Sequence, residues 1–293
     1  MESKMRLSIS NIAWDLADDE KVYEMMKTFG YSGLEIAPTR IFPEDPYEHI
    51  DEARRWRNDL YDRYGFTISS MQSIWYGRQE KLFGNEGERE ALLEYTKKAI
   101  DFAEAVECGN LVFGCPKNRV MPDGQENRTK GPMVRDGMEN IRENKSAEAY
   151  MGIATEFFSE LGNYAHQHGT VLAMEANPAI YNTNFINTTA EAVDLVERVD
   201  SEGFRLNLDS GTMVENDEPA DILTGKEHLI NHVHFSEPYL KPVARRDLHR
   251  EIAGILRNSG YEGFVSIETG RSDSGVDALY EMMKYVSDIF ENI

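Results

Sequence analysis

The sequence predicts an α/β fold in which residues 1–293 form one domain, a single (β/α)8 barrel. Eight short apolar or β-branched runs alternate with stretches whose apolar residues recur three and four positions apart. Eight strand–helix units in series are the number that closes into a barrel, and 293 residues suit one such domain. An open doubly wound sheet is the alternative, but no Gly-x-Gly-x-x-Gly segment follows any run to support a dinucleotide site.

Each predicted strand is a short run bounded by turn-forming or charged residues, which is typical of strands in α/β proteins. The predicted strands are 6–12, 33–37, 67–73, 110–114, 171–175, 205–209, 232–235 and 264–268.

Each predicted helix shows the apolar spacing of one buried face, as Val22, Met25, Met26 and Phe29 do in the first. The predicted helices are 20–29, 47–64, 88–108, 146–168, 189–199, 220–227, 246–259 and 275–290.

Turns and loops complete each unit. Four glycines follow a helix and precede a strand, where a left-handed residue is favoured; they are Gly30, Gly109, Gly169 and Gly260. Long loops at 76–87 and 116–145 follow the third and fourth strands. Such loops lie on the face of a barrel where functional sites form.

Composition excludes several classes of protein. The chain has 52 acidic and 31 basic residues and a formal net charge of −21, so nucleic-acid binding is not expected. There is no run of 18 apolar residues and no signal-peptide pattern, so we expect a cytoplasmic protein with no membrane contact. Cys108 and Cys115 are therefore expected to be free thiols.

Four predicted strands of the second half end in side chains that bind metals or exchange protons. These are Glu175, Asp209, His234 and Glu268, which lie 34, 25 and 34 residues apart. Each spacing is about one strand–helix unit, so a different consecutive strand carries each residue. Strand ends converge around a barrel axis, and we therefore expect the four side chains to share one cation.

The chemistry of this set predicts one divalent metal ion per chain. Three carboxylates and one imidazole are mostly hard oxygen donors, which favours Mn²⁺, with Mg²⁺, Co²⁺ and Zn²⁺ as alternatives. Crowding three carboxylates without a cation would be costly.

Alternation along the strands places further polar residues near these ends. His232 faces the same side as His234, and Asn207 the same side as Asp209, so both are expected one layer deeper. There they would orient the ligands or take a direct part in the reaction.

Other residues at strand ends are candidates for substrate binding. Glu35 could hold a substrate hydroxyl, and Trp75 could form an apolar wall against a sugar ring. Lys117 and Arg119 are cations in an acidic protein that could bind a phosphate or carboxylate, unless they belong to a solvated loop. Asn177 follows Glu175 at the end of its strand.

The order Glu–Asp–His–Glu occurs within Met-Glu-Ala-Asn, Leu-Asp-Ser-Gly-Thr, His-Val-His-Phe-Ser-Glu and Ser-Ile-Glu-Thr. In these motifs the chain resembles the xylose-isomerase-like TIM-barrel superfamily, the sugar phosphate isomerase/epimerase family. Its members include ketose 3-epimerases, hydroxypyruvate isomerase, inosose dehydratase and endonuclease IV. The resemblance covers nearly the whole chain.

The resemblance implies a metal-dependent isomerase or epimerase that acts on a sugar or sugar derivative. As in the ketose epimerases, Glu175, Asp209, His234 and Glu268 would bind the metal. Glu175 and Glu268 would also exchange the proton on opposite faces of a cis-enediolate. Homo-oligomers are usual in this group.

Two positions depart from the ketose epimerases, which have a histidine where Thr212 stands and an arginine where Leu240 stands. Both groups hold the reacting oxygens of the substrate there, so the departures indicate a different substrate or reaction. The cations that could replace the arginine are Lys117, Arg119, Lys241 and Arg271.

Three other functions remain as alternatives. A dehydratase of the inosose or dehydroshikimate type would share the site and the first proton abstraction, and a non-catalytic sugar-binding protein would keep the fold. An endonuclease is disfavoured by the charge of −21 and by the small number of histidines.

Overall fold

The computed structural model describes residues 5–122 and 137–291, and from 137 to 146 it describes the backbone alone. Its eight strands are all parallel and pair in chain order, with β8 returning to β1. The predicted (β/α)8 barrel is therefore confirmed. Part of the predicted loop 116–145 lies outside the described residues.

All eight predicted strands are present, most of them shorter by one or two residues at an end. They are β1 (Arg6–Ser10), β2 (Gly33–Ile36), β3 (Thr67–Met71), β4 (Leu111–Phe113), β5 (Leu172–Glu175), β6 (Phe204–Asp209), β7 (Ile230–Phe235) and β8 (Phe264–Ile267).

The helices pack outside the barrel and cover it. They are α1 (Asp19–Thr28), α2 (Pro38–Ile41), α3 (Ile50–Tyr64), α4 (Glu86–Ala105), α5 (Gly137–Gln167), α6 (Thr189–Val199), α7 (Ser210–Glu215), α8 (Asp247–Asn258) and α9 (Val276–Glu291). Two of them begin with a capping box, in which the cap side chain and a glutamate three residues later bond each other's backbone N–H. Large apolar side chains such as Phe102, Phe113, Phe158 and Phe204 fill the layer between helices and strands.

The predicted helix 220–227 is wrong. The segment forms two 3-10 turns, Ala220–Leu223 and Glu227–Leu229, and Gly225 between them has φ +78°. The helix of this unit is instead the short α7, which starts directly after β6 because the Asp209 side chain accepts a hydrogen bond from Thr212 N. The apolar spacing at 220–227 thus marks a buried face, but not an α-helix.

Glycines end three helices as predicted. Gly30, Gly169 and Gly260 have φ of 72°, 68° and 71°. The expectation for Gly109 is wrong, since Glu107 takes the left-handed conformation there with φ 52°. Cys108 and Cys115 are free thiols. Within the described residues, we find no helix with the length and apolar character that crossing a bilayer requires.

Candidate metal and substrate site

Neighbouring strands of the barrel bring the four predicted ligands together. Glu175 and Asp209 are the last residues of β5 and β6, His234 lies in β7, and Glu268 directly follows β8. One nitrogen or oxygen atom from each lies within 4.8 Å of the others. This arrangement can hold a single metal ion.

Glu175 is held by amides on both of its oxygens. Asn207 Nδ2 lies 2.8 Å from Oε1, and Asn177 Nδ2 lies 3.0 Å from Oε2. His234 Nδ1 lies 2.9 Å from Glu175 Oε1 and 3.4 Å from Glu268 Oε2. The imidazole therefore faces both glutamates for which the family resemblance implies proton exchange.

Asp209 is held by the first turn of α7. Its Oδ2 accepts hydrogen bonds from Thr212 N at 2.8 Å and Thr212 Oγ1 at 2.9 Å, and its Oδ1 accepts one from Ser236 Oγ. Thr212 thus orients a predicted ligand. This is the position at which, by the resemblance, the ketose epimerases have a histidine. Gly211 permits this turn, because a Cβ there would lie 2.4 Å from Ser236 Oγ.

The donor set fits a divalent cation on electrostatic grounds. Burial raises the pKa of Glu175, Asp209 and Glu268, and repulsion from a neighbouring carboxylate raises each further. His234 offsets part of this shift for all three. A bound cation would remove the repulsion and favour the ionised forms.

A fourth carboxylate, that of Glu35, lies behind the cluster. Glu35 is fully buried, and its Oε2 lies 2.8 Å from His234 Nε2 and 3.0 Å from His232 Nε2. Its Oε1 accepts a hydrogen bond from Gln72 Nε2 at 2.9 Å. Burial alone would raise the pKa of Glu35, but the charge of His234 and the hydrogen bonds from both histidines hold it below its usual range.

This arrangement sets the tautomer that His234 would take as a neutral metal ligand. An ionised carboxylate only accepts hydrogen bonds, so the one ring proton would lie on His234 Nε2 and point to Glu35, and Nδ1 would face the other predicted ligands. His232 lies one layer deeper, as the strand alternation predicts. Glu35 does not face the cavity, which differs from the expectation that it holds a substrate hydroxyl.

A cavity of about 210 Å³ lies over the ligand cluster. Its lining comprises Gln72, Ser73, Val112, Gly114, Cys115, Pro116, Glu175, Asn177, Tyr181, Asp209, Ser236, Glu237, Leu240 and Glu268. Asn177 is thus placed where a substrate-binding residue is expected. Among the described lining residues there are four carboxylates and no lysine or arginine.

A sequence family described as xylose isomerase-like TIM barrel matches residues 23–288, which is most of the chain. The chain belongs to this family. No curated protein matches the sequence.

Solved structures of low sequence identity share the fold of this xylose isomerase-like protein. The 3-keto-D-glucoside 4-epimerase YcjR from E. coli superposes with a TM-score of 0.70 at 16% identity, over 97% of this chain and 100% of that chain. The D-psicose 3-epimerase from Clostridium cellulolyticum H10, solved with D-tagatose, has a TM-score of 0.68 at 17% identity, over 98% and 97%. The IolI protein, solved with a zinc atom, has a TM-score of 0.65 at 16% identity, over 97% and 96%.

Three expected substrate-binding residues of this xylose isomerase-like protein lie elsewhere. Trp75 is 2% exposed, packs edge-on against Phe113 and donates a hydrogen bond from Nε1 to Thr96 Oγ1 at 2.7 Å. It therefore belongs to the core. Lys117 is exposed and outside the cavity lining, and Arg119 is fully buried behind the lining.

The other two cations considered for the missing arginine also lie outside the lining. Arg271 forms an ion pair with Asp15, and the Lys241 ammonium lies 5.6 Å from the ring centre of Tyr239. The arginine position itself is Leu240, an apolar part of the cavity wall.

Gly114 is a site residue that sequence reasoning missed. A Cβ at this position would lie 2.9 Å from Glu175 Oε2 and 3.1 Å from Asn177 Oδ1. A side chain would therefore displace the carboxylate. The available signal was a glycine directly after β4, where close approach of another group is a common reason for glycine.

Proposed function

We propose that the chain is a divalent-metal-dependent isomerase or epimerase acting on a sugar or sugar derivative. The observation that carries this proposal is the convergence of Glu175, Asp209, His234 and Glu268 beneath one cavity. These residues would hold the ion, and Mn²⁺ is the ion that we expect. The sugar epimerases of similar fold support the reaction class by analogy.

The proton chemistry falls to the two glutamates. When bound, a divalent cation would polarise a carbonyl and its neighbouring hydroxyl and so acidify the C–H between them. Glu175 and Glu268 reach the cavity from β5 and β8, three strands apart in the barrel, so they approach a substrate from different sides. One carboxylate would take the proton to give a cis-enediolate, and the other would return a proton to its opposite face.

The wall of the cavity favours a neutral substrate. Besides the three predicted carboxylate ligands, Glu237 lines the cavity, and its two oxygens are held by Arg246 Nε at 2.6 Å and Arg246 Nη2 at 2.5 Å. Among the described lining residues, no lysine or arginine is present to pair with a phosphate or carboxylate on the substrate. Tyr181 and Leu240 offer apolar surface to the carbon face of a sugar ring.

Isotope exchange tests this proposal. Candidate ketoses, keto-glycosides and inososes are incubated with the Mn²⁺-loaded protein in D₂O and analysed by NMR and mass spectrometry. We expect deuterium in at least one substrate with the wild type, and no isomer or epimer with Glu268→Gln, which lacks one of the two bases. The matched control is Glu262→Gln, which changes an exposed glutamate just before the opposite end of the same strand.

The products distinguish an isomerase or epimerase from a dehydratase. Recovery of an isomer or epimer supports the proposal, whereas a dehydrated product assigns the site to a lyase. Absence of deuterium from every substrate, or wild-type formation of the isomer or epimer by Glu268→Gln, would contradict the acid–base role of the pair. Metal analysis adds a second readout, for which we expect one ion per chain in the wild type and its loss in Asp209→Asn.

A further inference from the structure

Arg119 is a buried cation that donates to backbone and amide oxygens rather than to a carboxylate. It is fully buried, and its Nε donates to Gly114 O at 2.7 Å. Its Nη1 donates to Phe185 O and, at 3.1 Å, to Ile186 O. The guanidinium therefore joins the loop after β4 to the segment that follows β5.

The remaining nitrogen of Arg119 reaches the predicted metal centre. Nη2 donates to Glu175 O at 3.1 Å and to Asn177 Oδ1 at 2.8 Å. All five N–H groups of the guanidinium are thereby used. No other cation in the described part of the chain contacts the backbone of a predicted ligand in this way.

The contact with Arg119 determines which way the Asn177 amide faces. A guanidinium has no acceptor, so the amide oxygen of Asn177 must point to Arg119. The amide nitrogen then points to Glu175 Oε2, at 3.0 Å. Arg119, Asn177 and the Glu175 carboxylate thus form a continuous chain of hydrogen bonds.

A buried guanidinium is costly, and packing alone does not require it. Burial lowers the pKa of Arg119 to about 10, so the group remains charged at neutral pH. A planar fork of five donors is the feature that a methionine or a lysine of similar length would lack. Its hydrogen bonds to Glu175 O and Asn177 Oδ1 point to a role in the geometry of Glu175.

We propose that Arg119 is a positioning residue that fixes the Asn177 amide and the Glu175 backbone, so that the Glu175 carboxylate is presented to the metal and the substrate. This inference rests on the proposed metal centre. It replaces the expectation that Arg119 binds an anionic group of the substrate, because none of its donors is free.

A double-mutant cycle on Mn²⁺ affinity tests the proposal. The variants are Arg119→Lys, Asn177→Ala and the double variant, titrated with Mn²⁺ by calorimetry and by electron paramagnetic resonance. We expect each single variant to bind Mn²⁺ roughly 10- to 100-fold more weakly, as for other residues that orient a metal ligand. The double variant should be at most about twofold weaker than the weaker single variant, because the two residues act in one chain.

The control distinguishes positioning from support of the fold. Arg257→Lys changes a partly buried arginine that also donates to a backbone carbonyl, Phe290 O at 3.0 Å, and that lies outside the cavity lining. It should lower the thermal midpoint without changing Mn²⁺ affinity. In Arg119→Lys, by contrast, the Mn²⁺ affinity and the paramagnetic resonance spectrum of bound Mn²⁺ should change at temperatures at which the variant is still folded.

Three results would overturn the positioning role of Arg119 or the metal centre on which it rests. Unchanged Mn²⁺ affinity in Arg119→Lys would overturn the positioning role, and so would additive effects of the two single variants. If the wild type binds no Mn²⁺ or other divalent ion, the proposed metal centre fails first and this inference fails with it.

Discussion

Acidification is expected to destabilise the protein through His249, a buried imidazole of α8. The ring is fully buried and stacks on Phe235 with 4.5 Å between ring centres. Its Nδ1 lies 3.2 Å from the Tyr285 hydroxyl, whereas Nε2 has no partner among the described residues. A proton added at Nε2 would therefore be buried without an acceptor.

The size of the effect follows from the pKa of His249. Burial lowers it from 6.5 to about 4, and Glu237 and Arg246 make smaller, opposing contributions. Between these two values the unfolded chain binds a proton that the folded chain does not, so stability falls as the pH decreases below 6.5. Linkage then gives a loss of about 2 kcal/mol at pH 5 relative to pH 7.5.

Urea unfolding followed by circular dichroism measures this loss, with a chelator present so that metal binding does not contribute. The matched variant is His249→Phe, which keeps the stacked ring but cannot titrate. We expect the free energy of unfolding of the wild type to fall by about 2 kcal/mol more than that of the variant between pH 7.5 and pH 5. Parallel pH profiles for the two proteins would refute the reasoning.

Three further predictions concern two residues of the site and one, Trp75, that the sequence placed there. Gly114→Ala should weaken Mn²⁺ binding roughly tenfold or more, because its Cβ would lie 2.9 Å from Glu175 Oε2; calorimetry showing wild-type affinity would contradict the packing argument. Glu35→Gln should also weaken binding roughly tenfold or more, since it removes the charge that orients His234; an unchanged dissociation constant would argue against that orientation. Trp75→Phe should lower the free energy of unfolding in urea by about 1 kcal/mol, because its hydrogen bond is lost, and leave the KM for the sugar unchanged. A raised KM would support the expectation that Trp75 contacts the sugar ring.

The fold and the four clustered side chains could be predicted because their signals are local. Each strand is a short apolar run, and each predicted ligand stands at or near the last residue of such a run. Closure of the barrel then brings the ends together without further information. Strand alternation likewise predicts the side to which His232 points, and there it contacts Glu35 and lies outside the cavity lining.

The remaining residues depend on contacts that no local pattern records. Arg119 turns inward because carbonyls of residues 185 and 186 and the end of β5 receive its N–H groups. Trp75 is buried because Thr96 of α4 provides a partner for its indole nitrogen. Glu35 is held by histidines about 200 residues away in sequence. Polarity and position after a strand could not distinguish these cases from substrate contacts.

The cap that Asp209 forms on α7 bears on any attempt to engineer a new metal preference. Replacing this aspartate with a softer donor would also remove the acceptor for Thr212 N and loosen the helix that follows. Glu268 follows β8 and caps no helix in the described part of the chain. Within the same residues its carboxylate contacts His234. Glu268 is therefore the position at which a different donor could be introduced with the least disturbance of the scaffold, although this would remove one of the two proposed proton-transfer groups.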